Sequence, residues 1–451
     1  MRAVKILTIG LLAGSGLVGC NPGDFNSLLD KAPVTSFTPP GPSTGSLFVL
    51  PLPVPSEPGT TVAARMLVTR KDTDFFGVAD FDKNGKVTVH EASVNDKDNM
   101  GHASVYSAAV RADGMMLFGA PRAGGGDTPP GRVSSAFLTS DGVGGYNFNI
   151  QPGPQGGGAL PRIGISVAAG NVTGIGNGNF VVVGDNNVQV LGANVTTIEA
   201  ATEPACPSVQ LGNTLGDFYA FRPVAVGNLS TVADGLDEIA ISGRGKVVIL
   251  QYNGTGTLLC PGPGQTITES LLATFGTSLA VGDFDGDGNQ DLAVGAPPDR
   301  VYVFFGPIDL TNAEATPSVL IKSRTPTAFG ERIASYHVPG AAAAQLLVGD
   351  RTGTAVGGPL GGGKVMLFNI SRNVPEQDDS LAAVTLFDAN ADSSQQELGG
   401  TNLGGLLFNT GQCVPGGGIA LVPWASTNLD VLTFMNYVGA TLDPRCSALA
   451  P

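Results

Sequence analysis

One pattern recurs along this chain often enough to constrain its architecture. It consists of an opening glycine, a loop, an apolar strand ending in Gly, and a second strand-like run. Units of this kind start at Met100, Arg162, Phe221, Phe275, Phe329 and Leu398. The opening glycines Gly101, Gly164, Gly276, Gly330 and Gly399 lie 63, then 112 (across two units), then 54 and 69 residues apart. A period of about sixty residues accommodates four short strands and their turns. Such a unit cannot bury its apolar surface alone, so neighbours must stack. A weaker unit from Ala64 to Val89 brings the total to seven, and seven units of about 58 residues fill positions 46 to 451. Closing them into a ring removes unpaired strand edges. The strand expected to complete the last sheet is Ser46 to Leu50. An open β-solenoid or a pair of β-sandwiches is the alternative, which the Gly-Ala-Pro turns and the unit length disfavour.

Composition agrees with an all-β chain. There are 65 glycines, charged residues make up 14 % and apolar residues 42 %. Glycine on that scale argues against long helices, and the apolar content suffices for a core. The net charge is −14 with no basic run, which disfavours nucleic acid and direct adsorption to anionic lipid.

The unit from residue 275 to 306, FGTSLAVGDFDGDGNQDLAVGAPPDRVYVFFG, is the most complete. Asp283, Asp285 and Asp287 occupy positions 1, 3 and 5 of a loop, Gly288 follows, and Asp291 sits at position 9. Carboxylates alternating along a tight turn converge on one point, where a hard cation relieves their repulsion. Calcium suits it best, because it accepts six to eight oxygens in flexible geometry. Carboxylates of Asp283, Asp285, Asp287 and Asp291 and the backbone carbonyl of Asn289 form the expected ligand set. Strand-like runs on both sides make the loop a hairpin connection. The whole segment resembles an FG-GAP repeat, the blade unit of the integrin alpha-chain β-propeller. That resemblance implies a seven-bladed β-propeller, with calcium in a structural role on the face opposite the ligand site.

Other loops keep parts of this pattern. Asp80, Asp82, Asn84, Gly85 and Glu91 fit an EF-hand spacing with Glu91 at position 12, and the same loop, with Lys86 and with Thr88 in place of the final Asp, also aligns with the propeller loop. The Val87 to Val89 run favours a strand, and hence a second propeller calcium loop; an EF-hand and a metal-free turn remain open. Around Asn228, the residues Asn228, Ser230, Asp234 and Glu238 retain oxygen donors, but an insertion at Thr231 to Ala233 disturbs their spacing. At Ala112-Asp113-Gly114 a single acid is left.

The N-terminus, MRAVKILTIGLLAGSGLVGC, has a basic start and an apolar run from Ile6 to Val18, too short to span a bilayer comfortably. Residues 1–19 are therefore expected to be a signal peptide. Leu17-Val18-Gly19-Cys20 resembles a bacterial lipobox, which implies cleavage before Cys20 and a diacylglycerol on its thiol. An ordinary secretory signal with an incidental cysteine is the other reading. Asn21 after the cysteine favours the outer membrane. Residues 20–45, rich in Pro, Gly and Ser, are expected to form a flexible tether, followed by the propeller over 46–451. Lipidation of Cys20 leaves Cys206, Cys260, Cys413 and Cys446. In an oxidising compartment these form two disulfides, for which Cys206–Cys260 and Cys413–Cys446 are favoured by proximity in sequence. Free thiols are the alternative.

No nucleophile or metalloprotease motif stands out, and His90, His102 and His337 share no ligand spacing. The expectation is a non-enzymatic, lipid-anchored interaction or adhesion module of the cell envelope that binds a protein or glycan through its loops. Long connections at Ala123 to Pro130, Pro152 to Pro161 and Val374 to Leu398 support it. An envelope hydrolase or lyase with its site in the central channel is the alternative.

Overall fold

The computed structural model describes residues 34–37, 47–52, 62–70, 76–82, 87–91, 93–94, 107–121, 130–142, 144–156, 162–185, 187–202, 223–230, 234–243, 245–259, 266–268, 274–310, 316–325, 327–336, 342–353, 363–386, 403–407, 417–421 and 429–434. Their strands form seven sheets of four or five strands. Blade 1 runs Leu47–Leu52, Val62–Arg70, Phe76–Asp82 and Val87–Glu91. Blade 2 runs Ser107–Val110, Met116–Ala120, Arg132–Ser140 and Tyr146–Gln155. Blade 3 comprises Ser166–Gly170, Asn179–Val183, Val188–Leu191 and Ile198–Thr202, and blade 4 Val224–Gly227, Glu238–Gly243, Lys246–Leu250 and Thr266–Thr268. Blade 5 comprises Ser278–Gly282, Asp291–Ala296, Arg300–Phe304 and Val319–Lys322, and blade 6 Arg332–Tyr336, Gln345–Asp350, Lys364–Phe368 and Val384–Leu386. Side chains are described in these six except at residues 47–49, 51, 63–64, 69–70, 81–82, 87 and 384–386. The remaining sheet, Leu403–Leu407, Gly417–Leu421, Leu429–Phe434 and Val34–Phe37, is described by its backbone pairing. The first-listed strand of each sheet lies against that of the next, and the strand at Leu403 lies against that at Leu47, so the sheets form a ring around an axis. The fold is an all-β propeller.

Alternation along the strands explains the stacking. In blade 5, Ala293, Val301 and Val303 join a core shared with Ile333, Leu346, Val348 and Phe368 of blade 6. Their sequence neighbours Leu292, Val294, Tyr302 and Phe304 join Ala240, Val247 and Ile249 of blade 4. Successive side chains point to opposite faces, so a strand clamped between two blades must be apolar on both. The Phe-Gly and Gly-Ala landmarks work at the blade junctions. Phe275 is buried edge-on against Tyr302, at 5.4 Å between ring centres. Gly330 adopts φ +82, which only glycine takes without strain, and its carbonyl accepts the Ser278 hydroxyl at 2.8 Å. A Cβ on Gly295 would lie 2.1 Å from that same carbonyl oxygen.

Three expectations are corrected. Val34–Phe37, within the expected tether, pairs antiparallel with Leu429–Phe434 and is the strand that completes the last sheet. The run at Ser46 to Leu50 instead belongs to the inner strand of blade 1, Leu47–Leu52, whose backbone pairs antiparallel with Val62–Arg70 from Leu47 opposite Arg70 to Leu52 opposite Arg65. Two expected loops are partly strand. Tyr146–Gln155 extends into the Pro152 segment, and Glu376–Asp378 and Val384–Leu386 interrupt the Val374 segment. Glu376–Asp378 leaves blade 6 to pair in parallel with the outer strand of blade 5. Thr257–Leu258 of blade 4 does the same to blade 3. Each covers an otherwise open sheet edge.

Candidate metal centre

Among the described residues, the group of carboxylates close enough to share a cation is Asp283, Asp285 and Asp287, with one oxygen of each within 4.8 Å of the others. They lie on the hairpin between Ser278–Gly282 and Asp291–Ala296, as expected. Asp283 shapes the turn. Its Oδ1 accepts the N–H groups of Gly286 at 2.7 Å and Asp287 at 3.1 Å, and its Oδ2 accepts Gly288 N–H at 2.9 Å. Positive φ at Gly286 and Gly288 allows the chain to turn tightly enough to present those amides. The Asp287 Oδ1 accepts the Asn289 backbone N–H at 2.8 Å and the Asn289 side-chain amide at 3.1 Å. The Asn289 backbone N–H is the main cause holding the Asp287 carboxyl below the usual carboxylate range, with Arg372 adding to it.

Asp291 does not join the cluster. It is fully buried, its Oδ2 accepts Phe284 N–H at 2.7 Å and its Oδ1 accepts Gly306 N–H at 2.8 Å. Burial pushes its carboxyl up to about 7, and the charges of Asp285 and Asp287 act in the same direction.

Sequence reasoning missed Arg372. It comes from the turn after Lys364–Phe368 of blade 6, 85 residues from Asp287. Its Nη2 donates to Asp287 Oδ2, and its Nε lies against Asp285 Oδ2 as an ion pair rather than a well-directed hydrogen bond. Its guanidinium stacks over Phe305, 4.7 Å from the ring centre. The Asp285 side chain is 3 % exposed and that of Arg372 51 %. No local signal marks this residue, because the contact depends on how the two blades stack.

The Asp80 loop does not take the EF-hand form. Asp80 lies inside Phe76–Asp82, and Val87–Glu91 returns beside it, so neither flank is the helix an EF-hand requires. Arg65 Nε donates to Asp80 Oδ1 at 2.7 Å, and the Tyr146 hydroxyl donates to Asp80 Oδ2. Thr88 stands opposite Asp80 but Glu91 stands opposite Gly77, three residues along the ladder and about 10 Å away. Asp82 ends its strand opposite Val62, and Asn84 and Lys86 lie outside the described residues. Asp80 itself is thus paired with Arg65 and Tyr146 in the fold.

The Asn228 set is committed to the fold as well. Asn228 N–H donates to Gln290 Oε1 of blade 5 at 2.6 Å. Glu238 is buried and accepts Leu229 N–H at 2.7 Å, Ser230 N–H at 3.0 Å and the Ser230 hydroxyl. Asp234 caps its own turn by accepting Leu236 N–H at 3.0 Å. The single acid in blade 2, Asp113, pairs with Arg111, whose hydrogen bond lowers its pKa. Cys20, Cys206, Cys260, Cys413 and Cys446 lie outside the described residues.

Residues 275–304 match the FG-GAP repeat family. No curated protein sequence matches the chain. The chain is similar to the solved structure of BBS1N in complex with ARL6DN soaked with mercury, at 11 % identity and a TM-score of 0.49, covering 89 % of this chain and 96 % of that one. A lead-soaked form of the same complex gives 12 %, 0.48, 90 % and 97 %. The fifth blade therefore carries an FG-GAP repeat, set in a β-propeller.

Proposed function

We propose that this chain is a lipid-anchored, calcium-binding propeller of the bacterial cell envelope, of seven blades closed by Val34–Phe37, that serves as a binding module for a protein or glycan. The observation that carries the calcium reading is the convergence of Asp283, Asp285 and Asp287 on a loop of FG-GAP type. The donors are hard oxygens, and a cationic group, the Arg372 guanidinium, already seats on two of them. That chemistry fits calcium. The carboxylates of Asp283, Asp285 and Asp287 would hold the ion, and it would neutralise a self-repelling hairpin at the blade 5 edge. The role is structural.

The binding role rests on the FG-GAP repeat of the fifth blade and on the long connections of the sequence at Ala123 to Pro130 and Pro152 to Pro161. The anchor and envelope location rest on the Leu17 to Cys20 segment, and the two disulfides on the cysteine count.

The test is calorimetric titration of the full chain in detergent with calcium, with melting curves in calcium and in EDTA. Tight binding with a rise in melting temperature is expected, and Asp285→Ala is expected to lower the stoichiometry by one ion. Unchanged stoichiometry in that variant refutes the site.

A further inference from the structure

Arg372 begins a strap between two blades. After Lys364–Phe368 the chain turns, with Val374 N–H donating to Ser371 carbonyl at 3.1 Å. It then crosses to blade 5, where Leu320 N–H donates to Pro375 carbonyl at 2.9 Å and Glu376–Asp378 pairs with Val319–Lys322. Lys322 pairs with Glu376, and Arg324 Nε with Asp379 Oδ1 at 2.7 Å. At the head of this strap the Arg372 guanidinium bridges Asp285 and Asp287, two of the three clustered carboxylates.

A dication must sit within about 2.3–2.6 Å of its carboxylate oxygens. The guanidinium contacts one oxygen on each of two of those carboxylates and carries charge of the same sign, so it draws on the same negative charge that would hold the ion. The two cations therefore compete for the cluster. Arg372 is half-exposed, so its head group can swing into solvent on its flexible stem without repacking the core.

We infer that Arg372 is a built-in competitor for the cation site, and that ion entry unpins the head of the blade 6 strap from blade 5. This rests on the calcium reading above. By linkage, whatever holds the strap down weakens ion binding, and ion binding loosens the strap to the same degree. If the guanidinium is seated about nine-tenths of the time, removing it raises apparent calcium affinity about tenfold.

The experiment compares the full chain in detergent with its Arg372→Gln and Arg372→Lys variants by calcium calorimetry. Limited trypsin digestion of the wild type, with and without saturating calcium, follows cleavage after Arg372 by mass spectrometry. Gln keeps a polar stem without charge, and Lys keeps a point charge that bridges two carboxylates poorly. Roughly tenfold tighter binding by Arg372→Gln, a smaller gain for Arg372→Lys, and faster calcium-dependent cleavage after Arg372 support the inference. Binding by the Gln variant alone supports it in its strongest form. Equal affinities with calcium-independent cleavage overturn it while calcium binding stands. No binding by any of the three proteins overturns the calcium reading and the competitor with it.

Discussion

Substituting Asp80 by Ala separates two readings of the same residue. As a metal ligand, Asp80 would be replaceable at little cost in EDTA. As found, it is the counter-charge of Arg65, with both side chains 8 % exposed. Arg65 Nε donates to Oδ1 at 2.7 Å and Nη2 to Oδ2 at 3.4 Å, while the Tyr146 hydroxyl donates to Oδ2. Removing one partner of a buried pair leaves an uncompensated charge, a loss of about 3–5 kcal/mol. The Tyr146 hydroxyl loses an acceptor, which adds about 1 kcal/mol. The guanidinium lies 4.6 Å from the Tyr146 ring centre, an attraction common to wild type and variant that drops out of the difference. A net destabilisation of about 4–6 kcal/mol is expected. Urea unfolding in EDTA, followed by circular dichroism, reads it, and the calcium stoichiometry of the variant should equal that of the wild type. The double variant Arg65→Met with Asp80→Leu should recover most of the loss, because apolar residues of similar volume replace the pair without stranding a charge. A loss under about 1 kcal/mol, the range of an exposed pair, would refute the buried-pair account. A stoichiometry lower by one ion would restore Asp80 as a ligand.

Other perturbations test the blade junction and the clamp. Gly295→Ala places a Cβ 2.1 Å from the Gly330 carbonyl oxygen and 2.2 Å from Ser278 Oγ. It should cost about 3 kcal/mol or more by thermal melting. Gly288→Ala meets nothing within 4 Å, so only its positive φ of +89 opposes the change, and it should cost about 1–2 kcal/mol; equal losses would contradict the close approach at Gly295. The Asp291 carboxyl titrates at about 7 in the fold against 3.8 as its ordinary value. A raised carboxyl pKa stabilises fully below the unfolded value and loses that contribution as pH climbs to the folded one. In EDTA the melting temperature should therefore fall between pH 4 and pH 7, and a profile that rises across this window would contradict the assignment. Deleting residues 34–37 should open the ring and expose the edge of Leu429–Phe434, read as self-association by light scattering; a stable monomer with unchanged melting would remove their closing role.

The fold was legible because its signal is repetitive. The glycines at 164, 276 and 330 mark backbone positions of positive φ, and their spacing follows from the number of strands per blade. The turn of Asp283, Asp285 and Asp287 was legible because all three sit on one short hairpin. What failed was spacing used as a proxy for convergence. Asp80 and Glu91 are eleven positions apart on a hairpin whose ladder carries them to different heights. Val34–Phe37 was hidden because four residues amid prolines carry little pattern, and their partner lies at the other end of the chain. Arg372 was hidden for the same reason, since blade stacking brings it to the loop.

The same comparison shows why acids can be lost from most loops of this ring. The first residue of the second strand is Asn179 in blade 3, Glu238 in blade 4 and Asp291 in blade 5. All three are buried, and each accepts a loop amide: Thr173 N–H at 2.9 Å, Leu229 N–H at 2.7 Å and Phe284 N–H at 2.7 Å. An amide serves as well as a carboxylate there, so the position needs an acceptor and not a charge. The clustered carboxylates Asp283, Asp285 and Asp287 sit farther out on the loop and do not perform this duty for the neighbouring strands. Closing the hairpin and clustering carboxylates are therefore separable. Blade 3 retains only the clamp, blade 4 a charged clamp without the cluster, and blade 5 both. On the proposed calcium reading, metal binding should accordingly follow the outer carboxylates and Arg372, and not the acid at the strand start from which spacing alone would predict it.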